Sequence, residues 1–149
     1  MIRDAALTPD AIRARLVPVF RKEPIAVAYL FGSVAAGKAT KESDIDIAVL
    51  AESALSKDER HDLWIRLYDL IEKALGYPDQ KTDISVLQDT STLLQMNAIN
   101  AKCVLFEHNR SERILYEFRV WQRYEDEAYR RAREEEYTLA RILHRPARV

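Results

Sequence analysis

The stretch Phe31–Leu50, FGSVAAGKATKESDIDIAVL, decides how the rest of the chain is read. It starts at the end of one apolar run, Ile25–Phe31, and finishes in a second, Ile45–Leu50. Both runs are rich in β-formers and nearly continuous in apolarity, the pattern of buried strands. Between them lie Gly32-Ser33, a connection from Ala35 to Ser43 that turns polar toward its end, and the acids Asp44 and Asp46. Residues two apart on a strand share a face. With Asp44 opening the second strand, Asp44–Leu50, its carboxylate and that of Asp46 project together. Two adjacent carboxylates repel unless a cation sits between them. Hard oxygen ligands suit Mg²⁺, which takes one or two carboxylates plus substrate phosphates. Gly32 supplies backbone angles closed to other residues and lets a phosphate approach the main chain, and Ser33 adds a hydroxyl and an amide. Asp-x-Asp alone also occurs on solvated strand ends that bind nothing. The Gly-Ser turn directly after an apolar strand is what favours the metal.

A second motif competes for the same residues. Gly32 to Lys38 reads G-x-x-x-x-G-K, close to a P-loop. The position that should be Ser or Thr is Ala39, with Thr40 one residue late, and a P-loop opens straight into a helix. Here a strand begins soon after Lys38, so the P-loop reading fails its context.

The Gly32-Ser33 pair, ten residues and then Asp44-Ile45-Asp46 resemble the G-S-x10-D-x-D motif of the DNA polymerase β-like nucleotidyltransferase superfamily. Within it the chain is similar to the minimal nucleotidyltransferases, the MntA-type antitoxins paired with HEPN toxins. The resemblance covers about residues 25–106. It implies a third carboxylate on a neighbouring strand, and the matching candidate is Asp83 in KTDISVL, residues 81–87. It also implies that Gly32, Ser33 and Ser43 hold nucleotide. Many members carry an arginine where this chain has Ala36, and Lys38 is the candidate for that positive charge.

Composition sets bounds. The chain has 149 residues, 48% hydrophobic and 32% charged, enough for one folded domain with a real core. No linker, repeat or low-complexity segment divides it, so a single domain over 1–149 is expected, with a core of about 25–107. The formal net charge of −1 lacks the basic excess of a nonspecific polynucleotide binder. A nucleic-acid partner is therefore not expected, while a small nucleotide is. Cys103 is the one cysteine, which excludes an internal disulfide and fits a reducing cytoplasm. Its apolar surroundings read as a buried, inert thiol. No apolar run reaches the roughly 18 residues of a membrane span, and the N-terminus lacks a signal segment. A cytoplasmic protein is expected.

The remaining elements follow from local signals. Thr8 caps a helix with Pro9 at its first position; Ile12, Leu16, Val19 and Phe20 form its apolar face, and Pro18 should kink or shorten it. Ser56 and Glu59 form a capping box for a second helix with the stripe Leu63, Trp64, Leu67, Leu70, Ile71 and Leu75. Gly76 ends it and Pro78 follows. His61 reads as a surface residue, and Tyr77 as a packing aromatic. Lys81–Leu87 is a third strand whose Asp83, Ser85 and Leu87 share a face. An acid inside an apolar strand needs a partner, since burying a lone charge is costly. A cation shared with Asp44 and Asp46 meets that need; a solvent-facing acid near a strand start is the alternative. Thr92–Asn100 reads as a short helix and Cys103–Phe106 as a fourth strand. From Ser111, a candidate cap, to about Leu143 runs one helical pattern without Gly or Pro. Ile114, Leu115, Phe118, Trp121 and Tyr124 or Glu125 mark a stripe through its first half, and its second half is mostly charged. The basic tail through Pro146 should fray.

These readings add up to an α/β (α+β) fold: a small mixed sheet of four strands with helices mainly on one face, plus a long C-terminal helix. The resemblance implies Mg²⁺-dependent transfer of AMP from ATP, with two ions held by Asp44, Asp46 and Asp83. It implies a tyrosine hydroxyl of a cognate HEPN toxin as acceptor. Two other readings stay open at this level: modification of a small hydroxylated compound such as an aminoglycoside, and a non-catalytic antitoxin that occludes its partner. The long charged helix points to homo- or hetero-oligomers.

Overall fold

The computed structural model describes residues 7–40, 42–76 and 82–144. Helix α1 is Pro9–Arg21, strand β1 Ile25–Phe31, the single turn α2 Gly32–Ala35, β2 Ile45–Ala51, and α3 Lys57–Leu75. Then come β3 Thr82–Val86, a 3₁₀ turn at Leu87–Asp89, α4 Thr92–Asn100, β4 Val104–Glu107, and α5 Arg110–Leu143. Among the described residues the sheet has four strands in the order β3-β2-β1-β4. β1 is antiparallel to β2 and β4, while β2 and β3, joined through α3, run parallel. The sheet is therefore mixed, as expected. The expected calls at Lys81, Tyr77, Pro78 and Pro146 lie outside the described residues.

Local chemistry accounts for the element ends. The Thr8 hydroxyl accepts from the Ala11 amide, and Pro9 opens α1. Pro18 does not shorten this helix, which runs on to Arg21. Pro18 and Ala14, whose carbonyl loses its donor, both face solvent, so water can take the place of the missing bond. In α3 the Ser56–Glu59 capping box is formed in both directions, and Gly76 closes the helix in the left-handed conformation at φ +70°. The long helix is capped by Asn109, whose side chain accepts from the Glu112 amide, and not by Ser111.

Helices cover both faces of the sheet, not mainly one. On the first face Ile12, Leu16 and Phe20 of α1 and Leu63, Leu67, Ile71 and Leu75 of α3 pack against Leu30, Ile45, Ile47, Val49 and Ile84. On the second, Tyr29, Ala48, Leu50 and Leu87 pack with Ala98 and Leu94 of α4 and Tyr116 of α5. This second layer is smaller. Burial on both faces explains the unbroken apolar run of β1.

The stripe Ile114, Leu115, Phe118 and Trp121 does not dock α5. These four side chains are 48–52% exposed, whereas Val120 is fully buried. Polar side chains seat the helix instead. Glu117 accepts from the Tyr29 hydroxyl at 3.0 Å, and Arg113 reaches both Glu107 and Glu117. Gln95, buried at 4% exposure, accepts from Tyr116 and from Arg123 at 3.0 Å each. Burial, then the Glu117 charge, push the Tyr29 phenol well above its ordinary value, so it stays a neutral donor.

Candidate functional site

The site is built where β1 turns into β2. β1 ends at Phe31, and Gly32 takes φ +72°, a left-handed angle that costs other residues strain. The chain makes one turn, Gly32–Ala35, closed by the Ala36 amide on the Gly32 carbonyl and the Lys38 amide on the Ser33 carbonyl. Among the described residues no helix lies between Lys38 and β2, which removes the P-loop reading. This single turn begins at Gly32, ahead of Ser33.

Asp46 lies on β2 between two neighbours in register, Phe31 of β1 and Asp83 of β3. Its alternation with Ile45 and Ile47, which face α1 and α3, puts it on the second face. Register partners on paired strands share a face, so Asp83 projects beside it. Asp44 immediately precedes β2. Burial raises the Asp46 pKa above the ordinary carboxylate value, and the charges of Asp83 and then Asp44 raise it further. Asp46 therefore senses both of the other acids.

Gly32 completes the arrangement. A Cβ built on it would run into the Asp46 carboxylate. The absence of a side chain is what lets the turn lie directly on that acid.

The expected premise about Asp83 needs correction. It is exposed near the start of β3 and is not a buried charge. The neighbour that draws attention to it is Asp46. Lys38 is exposed on the loop beyond the turn. The Ser43 hydroxyl accepts from the Thr40 amide at 2.7 Å and lies 3.2 Å from the Thr40 hydroxyl. Among the described residues, no three His, Cys, Asp or Glu side chains stand close enough together to enclose an ion as placed. The donor set still fits a hard divalent cation. It offers oxygen ligands of like charge from two paired strands, one of them with its ionisation opposed, and Asp44 and Asp83 are exposed and able to turn.

Trp64, which the sequence assigned only to the core, and Tyr68, which it did not single out, support this site. The Trp64 indole donates to the Ile84 carbonyl at 2.8 Å, and the Ile84 amide donates to the Tyr68 hydroxyl at 3.2 Å. β3 is an edge strand, and α3 thus occupies both outward backbone groups of the residue next to Asp83. Trp64 and Tyr68 are four apart on α3, but nothing in that spacing says which carbonyl they meet. A cleft of about 390 Å³ beside this edge is lined by Arg60, His61, Trp64, Ser85 and Asp89, and by none of the three clustered acids. Cys103 is buried and burial raises its pKa, as an inert thiol requires. No helix of the described residues is long and apolar enough to cross a membrane.

Comparison with known proteins follows the same residues. The family described as polymerase beta, nucleotidyltransferase, matches residues 15–111. No curated protein sequence matches. Among solved structures, a chain of a toxin–antitoxin crystal structure with AMP-PNP is 26% identical, with a TM-score of 0.62, over 85% of this chain and 98% of that one. A chain from the crystal structure of a toxin–antitoxin MntA complex carrying a tyrosine-to-alanine substitution is also 26% identical, at TM-score 0.60, covering 84% and 96%. A third, from a tri-AMPylated Shewanella oneidensis HEPN toxin in complex with MNT antitoxin, is 23% identical at TM-score 0.58, covering 88% and 99%, and shares the fold.

Proposed function

Since the chain belongs to the polymerase beta nucleotidyltransferase family, we propose that it transfers AMP from ATP to a tyrosine hydroxyl of a HEPN-type toxin and so acts as its antitoxin. The observation that carries this reading is the pairing of Asp46 with Asp83 directly beside the Gly32 turn. Similarity to toxin–antitoxin chains, one solved with AMP-PNP, supports the partner and the nucleotide.

Asp44, Asp46 and Asp83 would hold two Mg²⁺ ions, whose positive charge offsets that of the phosphates and of the reacting oxygens. Gly32 and the backbone of the following turn would seat the triphosphate against these acids, with Ser33, Lys38 and Ser43 nearby in the chain. The acceptor oxygen forms its bond to the α-phosphorus as the bond to the bridging oxygen breaks and pyrophosphate leaves. Asp83, which is exposed, would take the hydroxyl proton. Positioning and electrostatics supply the rate, as the chemistry needs no covalent enzyme intermediate.

Incubation with labelled ATP, Mg²⁺ and the protein encoded by the adjacent reading frame tests the proposal. Label on a tyrosine of that protein, lost with Asp46→Asn, is the expected result. Equal silencing of the toxin by Asp46→Asn without transfer overturns it in favour of occlusion.

A further inference from the structure

Strand β3 forms one edge of the sheet, and its ladder has a partner on one side only, β2. The Asp83 side chain is exposed, so the strand backbone decides where its carboxylate stands. Asp46 differs, because β2 is paired on both sides. The height of Asp83 against Asp46 therefore depends on what holds the outer side of β3. Helix α3 holds it. Arg60, Trp64 and Tyr68 follow one another at four-residue steps, a single line along the helix. The Tyr68 hydroxyl accepts from the Ile84 amide, the Trp64 indole donates to the Ile84 carbonyl, and Arg60 donates to both oxygens of Asp89 at 3.0 and 2.8 Å. The amide and carbonyl of one strand residue point the same way, so the two rings stand where another strand would pair. The rings are braced in turn. His61 stacks on Trp64 at 5.6 Å, Tyr68 meets Trp64 edge-on at 5.1 Å, and both Trp64 and Tyr68 pack against the first-face core.

We propose that Trp64 and Tyr68 are positioning residues, which fix Asp83 at the height where its carboxylate and that of Asp46 share a divalent cation. This role rests on the reading that Asp44, Asp46 and Asp83 hold such a cation. Mg²⁺ demands near-ideal geometry with oxygens at about 2.0–2.1 Å. Carboxylates on two different strands meet that demand only while the strands keep their relative height. Both hydrogen bonds fall on Ile84, the residue after Asp83, so little chain lies between the clamp and the acid. Partners of this kind, which hold a ligand rather than the metal, set cation affinity by orienting the ligand. The Arg60–Asp89 pair lies six residues beyond Asp83, past the end of β3, and holds the 3₁₀ turn instead.

Mn²⁺ alone, which takes the same oxygen ligands as Mg²⁺, is the probe. In the natural chain it should broaden the amide resonances of Asp46 and Asp83 together. Tyr68→Phe keeps the ring and removes the hydroxyl. It should weaken Mn²⁺ binding about tenfold and leave Asp83 less broadened than Asp46. Trp64→Phe, which removes the donor to the Ile84 carbonyl, should do the same. Arg60→Met is the control: it should lower the unfolding midpoint and leave Mn²⁺ affinity unchanged. At fixed Mg²⁺, transfer by Tyr68→Phe should fall about tenfold and recover as Mg²⁺ is raised, whereas Asp83→Asn should not recover. Unchanged Mn²⁺ affinity in folded Tyr68→Phe and Trp64→Phe overturns the proposal and leaves the cation site standing. An equal loss in Arg60→Met also overturns it, because the effect is then one of stability. A natural chain that takes up no Mn²⁺ at Asp46 and Asp83 overturns both the cation site and the positioning role.

Discussion

The Asp46 carboxylate occupies the space in which a side chain on Gly32 would begin. Gly32→Ala should therefore fail twice, through strain at φ +72° and through displacement of the acid. A stability loss of about 1–2 kcal/mol and a fall in transfer rate on the order of 100-fold are expected. Gly37→Ala is the control. Gly37 has φ +71° with nothing within 4 Å of its Cβ position, so it should lose stability alone. Urea unfolding and transfer rates on both variants separate the two effects, and equal rates would refute a role for the contact.

Asp46 should oppose folding when no cation is bound. Its folded pKa is raised by burial and by Asp83 and Asp44, so the native state holds the proton more tightly than the unfolded chain. The associated stability is present at acid pH and is lost as pH rises from the ordinary carboxylate value through the raised one. At neutral pH in chelator, Asp46→Asn should melt about 1–2 °C higher, a screened gain of roughly 0.5 kcal/mol at this size. The difference should vanish in acid, and transfer should be lost throughout. A lower melting temperature at neutral pH would contradict this account.

Trp64 should matter to β3 more than its partial burial suggests. Trp64→Phe keeps the ring but leaves the Ile84 carbonyl without its donor, at a cost of about 1–2 kcal/mol. The freed edge should also raise the tendency to aggregate. Unfolding midpoints and light scattering measure the two, and an unchanged midpoint would show that water replaces the indole.

Arg113 should govern how α5 sits on the sheet. It joins Glu107 to Glu117, which in turn accepts from Tyr29. Arg113→Met should cost roughly 1–2 kcal/mol, since it leaves two half-buried carboxylates facing each other. Arg119→Met, on an exposed position of the same helix, should change stability by less than about 0.5 kcal/mol. Hydrogen exchange in β1 and α5 should rise only in the first variant.

Signals that act over a few residues were legible in the sequence. Thr8, Ser56 with Glu59, and Gly76 marked helix ends because capping joins a side chain to amides within three positions. Ile25–Phe31 was readable as a strand to the residue, since burial on both faces leaves no polar position in it. The family was legible through the resemblance carried by Gly32-Ser33 and its spacing to Asp44 and Asp46, and Asp83 was a candidate through that resemblance.

Tertiary structure decided what those residues meet. Only the parallel pairing of β2 with β3, brought about through α3, sets Asp83 beside Asp46, and it does so with Asp83 exposed. Only the positions of Glu107, Tyr29 and Gln95 turn the polar side of α5 toward the sheet and its aromatic stripe away. Periodicity states that a helix has two faces; which one is buried depends on partners far away in sequence, and those enter the free energy only once the chain has closed on itself.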